Sequence, residues 1–348
     1  MHHHQYPWPK LPPSVLTELK YSVIVSFVLI AGICYVRLAS LHMPPGFRRF
    51  IALLPVISLL PILPAAFSFI HLRTIAAIFL SWLALLKLLL LSIGKGPLDP
   101  SQSFLPFLFT ATLPVKFRQG HRKSSPISIS EVLVLSLKTL VLICNIYLYR
   151  YHPLYDMYTL LSLYTCHLYL GLELAMTLTG ITASIILNMP IEPQFNDPFL
   201  ATSLRDFWSR RWNIMLSQTL RQLVYDPVAP RLGPAIGLIT SFLVSGLMHE
   251  VIFYYLASTR PTGEVMSFFL LQGLGIIVEH IVKRATTWRP HKIIACPMTI
   301  GFVMISAFWL VFDPLLRTGA DERVVAECMG VITFCEDVVH AVLGKIRN

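Results

Sequence analysis

Apolar residues in this chain gather in blocks about as long as a bilayer crossing, separated by short polar or proline-bearing joints. Blocks of this kind predict helical spans at 16–36, 50–70, 75–93, 131–149, 156–187, 233–257, 265–282 and 293–312, with a ninth at 325–343. Two longer connections, 94–130 and 188–232, interrupt the series, and connections of that length tend to carry function. Composition agrees: 55% of the 348 residues are hydrophobic and 13% are charged, which excludes an ordinary soluble domain. The expectation is an all-α, polytopic bundle of eight or nine spans forming one domain over 1–348. Its functional core is expected at about 190–255, and residues 1–15 are expected to be flexible.

The formal charge of +10 follows the loops. If the first connection faces the cytosol, that side collects Arg37, Arg48, Arg49, Lys95, Lys116, Arg118, Arg122, Lys123, Arg205, Arg210, Arg211, Arg221, Arg231, Lys283, Arg284, Arg289, Lys292, Lys345 and Arg347. The other side receives Lys10, Lys20, Arg73, Arg150, Arg260, Arg317 and Arg323. Such a bias orients the bundle with its N-terminus outside the cytosol and both long connections inside. It also explains the charge without a nucleic-acid partner, since no long basic run or RNA- or DNA-binding motif is present. The first apolar run leads into Arg37 and a Pro-Pro turn instead of a cleavage site, so it is expected to remain as a span. Met1–His4 resembles a tag fragment and is set aside. The cysteines Cys34, Cys144, Cys166, Cys296, Cys328 and Cys335 show no CxxC spacing, so neither a disulfide framework nor a zinc site is expected.

Aromatic and basic residues interleave from Asp206 to Asn213. Helical spacing aligns Trp208, Trp212, Met215, Leu216, Leu220 and Leu223 on one face, with Asp206 in the first turn and Arg210, Arg211 and Arg221 outside the stripe. Two readings stand: an interfacial helix on anionic lipid, or a helix presenting cations to ligand phosphates. Asn213 lies beside the stripe, where a buried amide requires either a structural partner or a ligand. The sixth span carries Ser245, Gly246, His249 and Glu250. His249 falls about 24 Å along that helix from Gly233, beyond the midplane. An imidazole at such depth either bonds between helices or serves chemistry, and a neutral one can take a proton from an alcohol. Ser245 shares its face, and Gly246 allows close helix approach. Glu250 points elsewhere, toward another helix. His167 and Glu173 do not share a face, Glu279 and His280 suit an interfacial pair with Lys283 and Arg284, and Lys87 and Lys138 either pair with Glu173 or snorkel.

Taken together, Glu192-Pro193-Gln194-Phe195-Asn196, Ala201-Thr202-Ser203-Leu204, Asp206 to Asn213 and Ser245 to Glu250 resemble the plant wax synthase family. These are long-chain-alcohol O-fatty-acyltransferases of the membrane-bound O-acyltransferase superfamily. Ser81-Trp82-Leu83, Gly96-Pro97-Leu98, Leu113 to Phe117 and Val224 to Val228 extend the resemblance over about 50–315, while Ser209 stands where glycine is expected. The resemblance implies catalysis by His249 and Asn213, substrate contacts from Trp208, Arg210, Arg211, Trp212 and Ser245, and location in the endoplasmic reticulum membrane. It implies acyl-CoA as a cosubstrate, no cofactor, and a long-chain alcohol or another lipid hydroxyl (a sterol or a diacylglycerol) as acceptor. For both residues to meet substrate, segment 206–225 must dip into the protein interior. A transporter finds little support, since no internal repeat is visible.

Overall fold

The structure is a computed structural model and describes residues 13–117, 128–287 and 290–346. The expectations for 1–12 and for Lys10, Arg118, Arg122, Lys123, Arg289 and Arg347, and for the Lys345 side chain, lie outside what it describes. Among the described residues the chain is helical with no strand: α1 (Pro13–His42), α2 (Phe47–Leu59), α3 (Ile70–Ala76), α4 (Leu85–Ser92), α5 (Phe104–Thr112), α6 (Ile129–Leu148), α7 (Met157–Leu187), α8 (Leu204–Asp206), α9 (Ile214–Leu220), α10 (Asp226–Leu232), α11 (Pro234–Ala257), α12 (Glu264–Ala285), α13 (Lys292–Ala307), α14 (Asp313–Arg317) and α15 (Ala320–Ile346).

Eight segments are long and apolar enough to cross a membrane: Val15–His42, Phe47–Ala66, Ile70–Ser92, Ile129–Tyr151, Met157–Leu187, Pro234–Ala257, Glu264–Ala285 and Lys292–Arg317. Their ends follow local chemistry. Ser128 and Glu131 form a reciprocal cap at the start of α6. Asp156 accepts from the amides of Tyr158 and Thr159 at the start of α7. Pro234 opens α11 after Gly233, whose φ of 95° disfavours any residue with a Cβ.

Ile70–Ser92 is the central span, with 61% of its apolar window buried against 11–33% for the other seven. It joins α3 to α4 through a π-helical stretch, Ala77–Ala84, that carries Trp82. On the periphery, Phe27, Ile129, Leu133, Leu137 and Trp309 point outward as lipid-facing residues do. Buried charges are paired or spent on helix ends. Lys87, 1% exposed, donates to the carbonyls of Thr110 (2.8 Å) and Leu113 (2.6 Å) at the end of α5. It therefore neither snorkels nor meets Glu173, which pairs with Lys138 at 2.5 Å. Arg49 turns inward and ties together the carboxyl ends of α1 and α4 through Ser40, Met43 and Leu91.

The ninth predicted span forms a helix, α15, but is not among the membrane-crossing segments. Its carboxylates and Arg323 find partners within the protein. Asp321 accepts from Tyr164, Arg323 donates to the last carbonyl of α11, Glu327 accepts from the first amides of α3, and Glu336 meets Arg150. These partners lie at the end of the bundle that holds the starts of α3 and α7 and the end of α11, so α15 packs along that end and its acidic residues serve as helix caps and ion pairs.

Candidate active site

The Asp206–Asn213 stretch is not one continuous amphipathic helix. Ser203 caps α8 through the amide of Asp206, a single π-helical stretch covers Phe207–Arg211, and the chain breaks at Trp212–Asn213. Asn213 sits at φ 40°, a left-handed conformation that asparagine tolerates better than most residues. Its Oδ1 accepts from the amide of Leu216 at 3.3 Å, starting α9. The irregular chain around Asn196 clamps the break: the Ile214 amide donates to the Gln194 carbonyl and the Asn196 amide donates to the Arg211 carbonyl. Arg211 completes the clamp, with Nε 2.7 Å from Asp206 Oδ2 and Nη1 3.1 Å from the carbonyls of both Asn196 and Asp197. Asp206 is thus Arg211's partner, and Arg211 serves the loop rather than an open surface.

Aromatic packing buries this turn. Phe207 stacks on Trp212, with ring centroids 5.5 Å apart, and Phe195 meets Trp212 edge-on. Trp208 reaches Phe242, Phe268 and Phe269 and donates to Gln272 at 3.3 Å, while Gln272 donates to Ser306 at 2.8 Å. Asn213 is 2% exposed, so the turn itself lies in the protein interior, while Ser209, Arg210 and Arg221 of the same segment stay exposed. Its Nδ2 donates to no protein group among the described residues, although Asn213 lines a cavity.

That cavity, of 570 Å³, is also lined by His249, Ser245, Trp208, Arg210 and Trp212. Six of the seven site residues expected from the sequence therefore face one space, and Arg211 does not. Gly246 allows the wall to form: a Cβ there would lie 2.9 Å from Met266 Cα, so α11 and α12 touch backbone to backbone. One turn later Glu250 accepts from the amide of Met266 at 2.9 Å, the interhelical partnership expected of it. Glu279 pairs with Lys283 and also caps α8 through the amide of Leu204.

His249 is oriented from three sides. Its Nδ1 lies 2.7 Å from the carbonyl of Ser245, an acceptor only, so this nitrogen carries the proton and Nε2 keeps its lone pair. Trp82 stands edge-on at 4.6 Å between centroids, and Phe269 stacks at 4.0 Å. Neither was among the expected site residues: Trp82 entered the sequence reading only within Ser81-Trp82-Leu83, as part of the family resemblance, and Phe269 has nothing to separate it from its neighbour Phe268 in α12. Ser245 thus acts through its backbone as well as lining the cavity.

Arg205, Arg210 and Arg221 line the same cavity. Arg221 pairs with Asp226 at 3.5 Å, whereas Arg205 and Arg210 have no ion-pair partner among the described residues. The arrangement combines a base, an amide donor, an aromatic enclosure and free guanidinium groups. It suits transfer of an acyl group from an anionic carrier to a hydroxyl.

Residues 191–271, which include Asn213 and His249, match the profile of the Membrane bound O-acyl transferase family. Over 327 residues the chain is 38% identical to the "Probable long-chain-alcohol O-fatty-acyltransferase 1" of Arabidopsis thaliana, covering 89% of this chain and 94% of that one. It is 37% identical to the "Long-chain-alcohol O-fatty-acyltransferase" of Simmondsia chinensis, covering 94% and 98%. The "Acyl-CoA--sterol O-acyltransferase 1" of Arabidopsis thaliana is 33% identical, covering 89% and 95%. Identity sustained along nearly the whole length, joined to a shared signature over the cavity, means that this chain is a multi-pass acyltransferase belonging to the membrane bound O-acyl transferase family.

Proposed function

We propose that the enzyme transfers a fatty acyl group from acyl-CoA to a long-chain alcohol, giving a wax ester, in the endoplasmic reticulum membrane. The observation that carries the mechanism is the Ser245 carbonyl on His249 Nδ1, which leaves Nε2 as a proton acceptor in the cavity. The alcohol oxygen attacks the thioester carbonyl carbon as Nε2 takes its proton; the C–S bond then breaks, and the imidazolium returns the proton to the departing CoA thiolate. The free Nδ2 of Asn213 donates to the carbonyl oxygen as charge develops on it. Direct transfer is favoured because no cysteine lines the cavity to act as a nucleophile beside His249. Arg205 and Arg210 receive the phosphates of CoA, which requires no cofactor.

The acceptor comes from the names of the relatives in Arabidopsis and Simmondsia. Expression in yeast lacking its own neutral-lipid acyltransferases, fed with fatty alcohols, sterols and diacylglycerol, tests it by lipid mass spectrometry. Wax esters as the main product are expected; steryl esters or triacylglycerol in their place would overturn the acceptor assignment. Fluorescent tagging against an endoplasmic reticulum marker checks the location.

A further inference from the structure

Three helices far apart in sequence bring His71, His167 and Cys328 together, with one ligand atom from each within 4.8 Å of the others. We propose that this cluster binds a divalent transition metal of the zinc class, joining the central span, α7 and α15 near the end of the bundle along which α15 packs.

The cluster has the supporting contacts that a His-Cys metal site uses. Glu327 accepts from His71 Nδ1 at 2.8 Å, which fixes the ring and leaves Nε2 as the donor atom, the carboxylate–imidazole arrangement found behind metal-bound histidines. His71 Nε2 lies 3.5 Å from Cys328 Sγ. A tetrahedral zinc with ordinary Zn–N and Zn–S bonds places such atoms about 3.6 Å apart. Tyr149 holds His167 through Nδ1 at 3.0 Å, and the His167 ring stacks on His71 at 5.9 Å. The remaining His167 nitrogen makes no protein hydrogen bond among the described residues. Closing the widest separation on an ion takes a shift of roughly 1 Å, within reach of side-chain rotation. Two imidazoles and one thiolate select zinc-like or softer metals over magnesium or calcium. On binding, the Cys328 thiol gives its proton to solvent and the sulfur becomes the third ligand, leaving a fourth position for water.

The site accounts for a feature of the fold. α15 is not among the segments apolar and uncharged enough to cross a membrane, yet it docks where Glu327 caps α3 and Cys328 lies near both histidines. A metal there would anchor it to the same span that presents Trp82 to His249. The ligands lie too far apart in the chain to leave a spacing motif.

The test uses the full-length chain purified in detergent, stripped with chelator and titrated with Co²⁺, then Zn²⁺. One Co²⁺ per chain is expected, with a thiolate-to-cobalt charge-transfer band that Zn²⁺ displaces. Cys328→Ser should lose that band, His71→Ala and His167→Ala should each weaken binding at least tenfold, and Cys335→Ser should change nothing. Because Cys328→Ser could impair folding, wild-type protein is also alkylated with iodoacetamide and mapped by peptide mass spectrometry, where Zn²⁺ should slow Cys328 modification at least tenfold. Absence of the band from wild type, its persistence in Cys328→Ser, or alkylation indifferent to Zn²⁺ would overturn the proposal.

Discussion

His249→Gln separates chemistry from packing at the cavity. Glutamine keeps a long polar side chain between Trp82 and Phe269 but has no basic nitrogen to replace Nε2. The Ser245 carbonyl is still served by the helix, so the loss in stability is that of an ordinary partly buried change, about 0.5–3 kcal/mol. The loss in rate should be larger: general-base help is worth about 10²–10⁴-fold, which is about 3–5.5 kcal/mol of barrier. His249→Ala should fall at least as far while also emptying the space between the two rings. The assay measures ester formation in microsomes from labelled acyl-CoA and hexadecanol, normalised to protein by immunoblot, with detergent-solubilised thermal stability measured in parallel. More than a tenth of the wild-type rate in His249→Gln at equal abundance would refute the proton-acceptor role.

At Asn213, glycine keeps the left-handed backbone and costs only a few tenths of a kcal/mol as a cap, so Asn213→Gly should remain folded yet lose about 10²–10³-fold in rate; a rate near wild type would remove the amide from the mechanism. Arg210→Ala should raise the KM for acyl-CoA and blunt its dependence on salt without lowering thermal stability, whereas Arg211→Ala should lower stability by releasing Asp206 and the Asn196–Asp197 carbonyls; thermal melts beside kinetics distinguish the two. Lys138→Met leaves Glu173 buried without its cation and should cost about 3–5 kcal/mol, while Lys138→Met with Glu173→Leu should recover most of that loss, as read from detergent-solubilised melting. Gly246→Val should separate α11 from α12 and cut folded yield sharply, because Met266 backbone leaves no room for a side chain; normal yield and melting would contradict the close-contact argument.

Much of the site could be read along the chain because the features involved are local. An imidazole in an otherwise apolar helix stands out at His249, Gly246 lies one turn from Glu250, and the aromatic-basic run ends on Asn213. The individual roles were less legible. Arg210 and Arg211 are neighbours of the same type, yet one lines the cavity and the other locks Asp206 and the Asn196–Asp197 carbonyls. Spacing treated 206–225 as a continuous stripe because helical periodicity carries no sign that Asn213 would break it by turning left-handed. The ninth block was apolar enough in part to suggest a span, but its carboxylates find partners near the starts of α3 and α7 and at Arg150.

Sequence alone therefore determined what depends on neighbours along the chain: the eight apolar spans among its nine apolar blocks, and the presence of a histidine and an asparagine at unusual positions. Tertiary structure decided what depends on contacts between distant segments. It set the tautomer of His249 between Trp82 and Phe269 and gave Lys87 to the end of α5 and Lys138 to Glu173. It also gathered His71, His167 and Cys328 from three helices. The physical reason is that hydropathy is a sum over consecutive residues, whereas a polar group buried among helices must be satisfied by whichever partner the packing supplies.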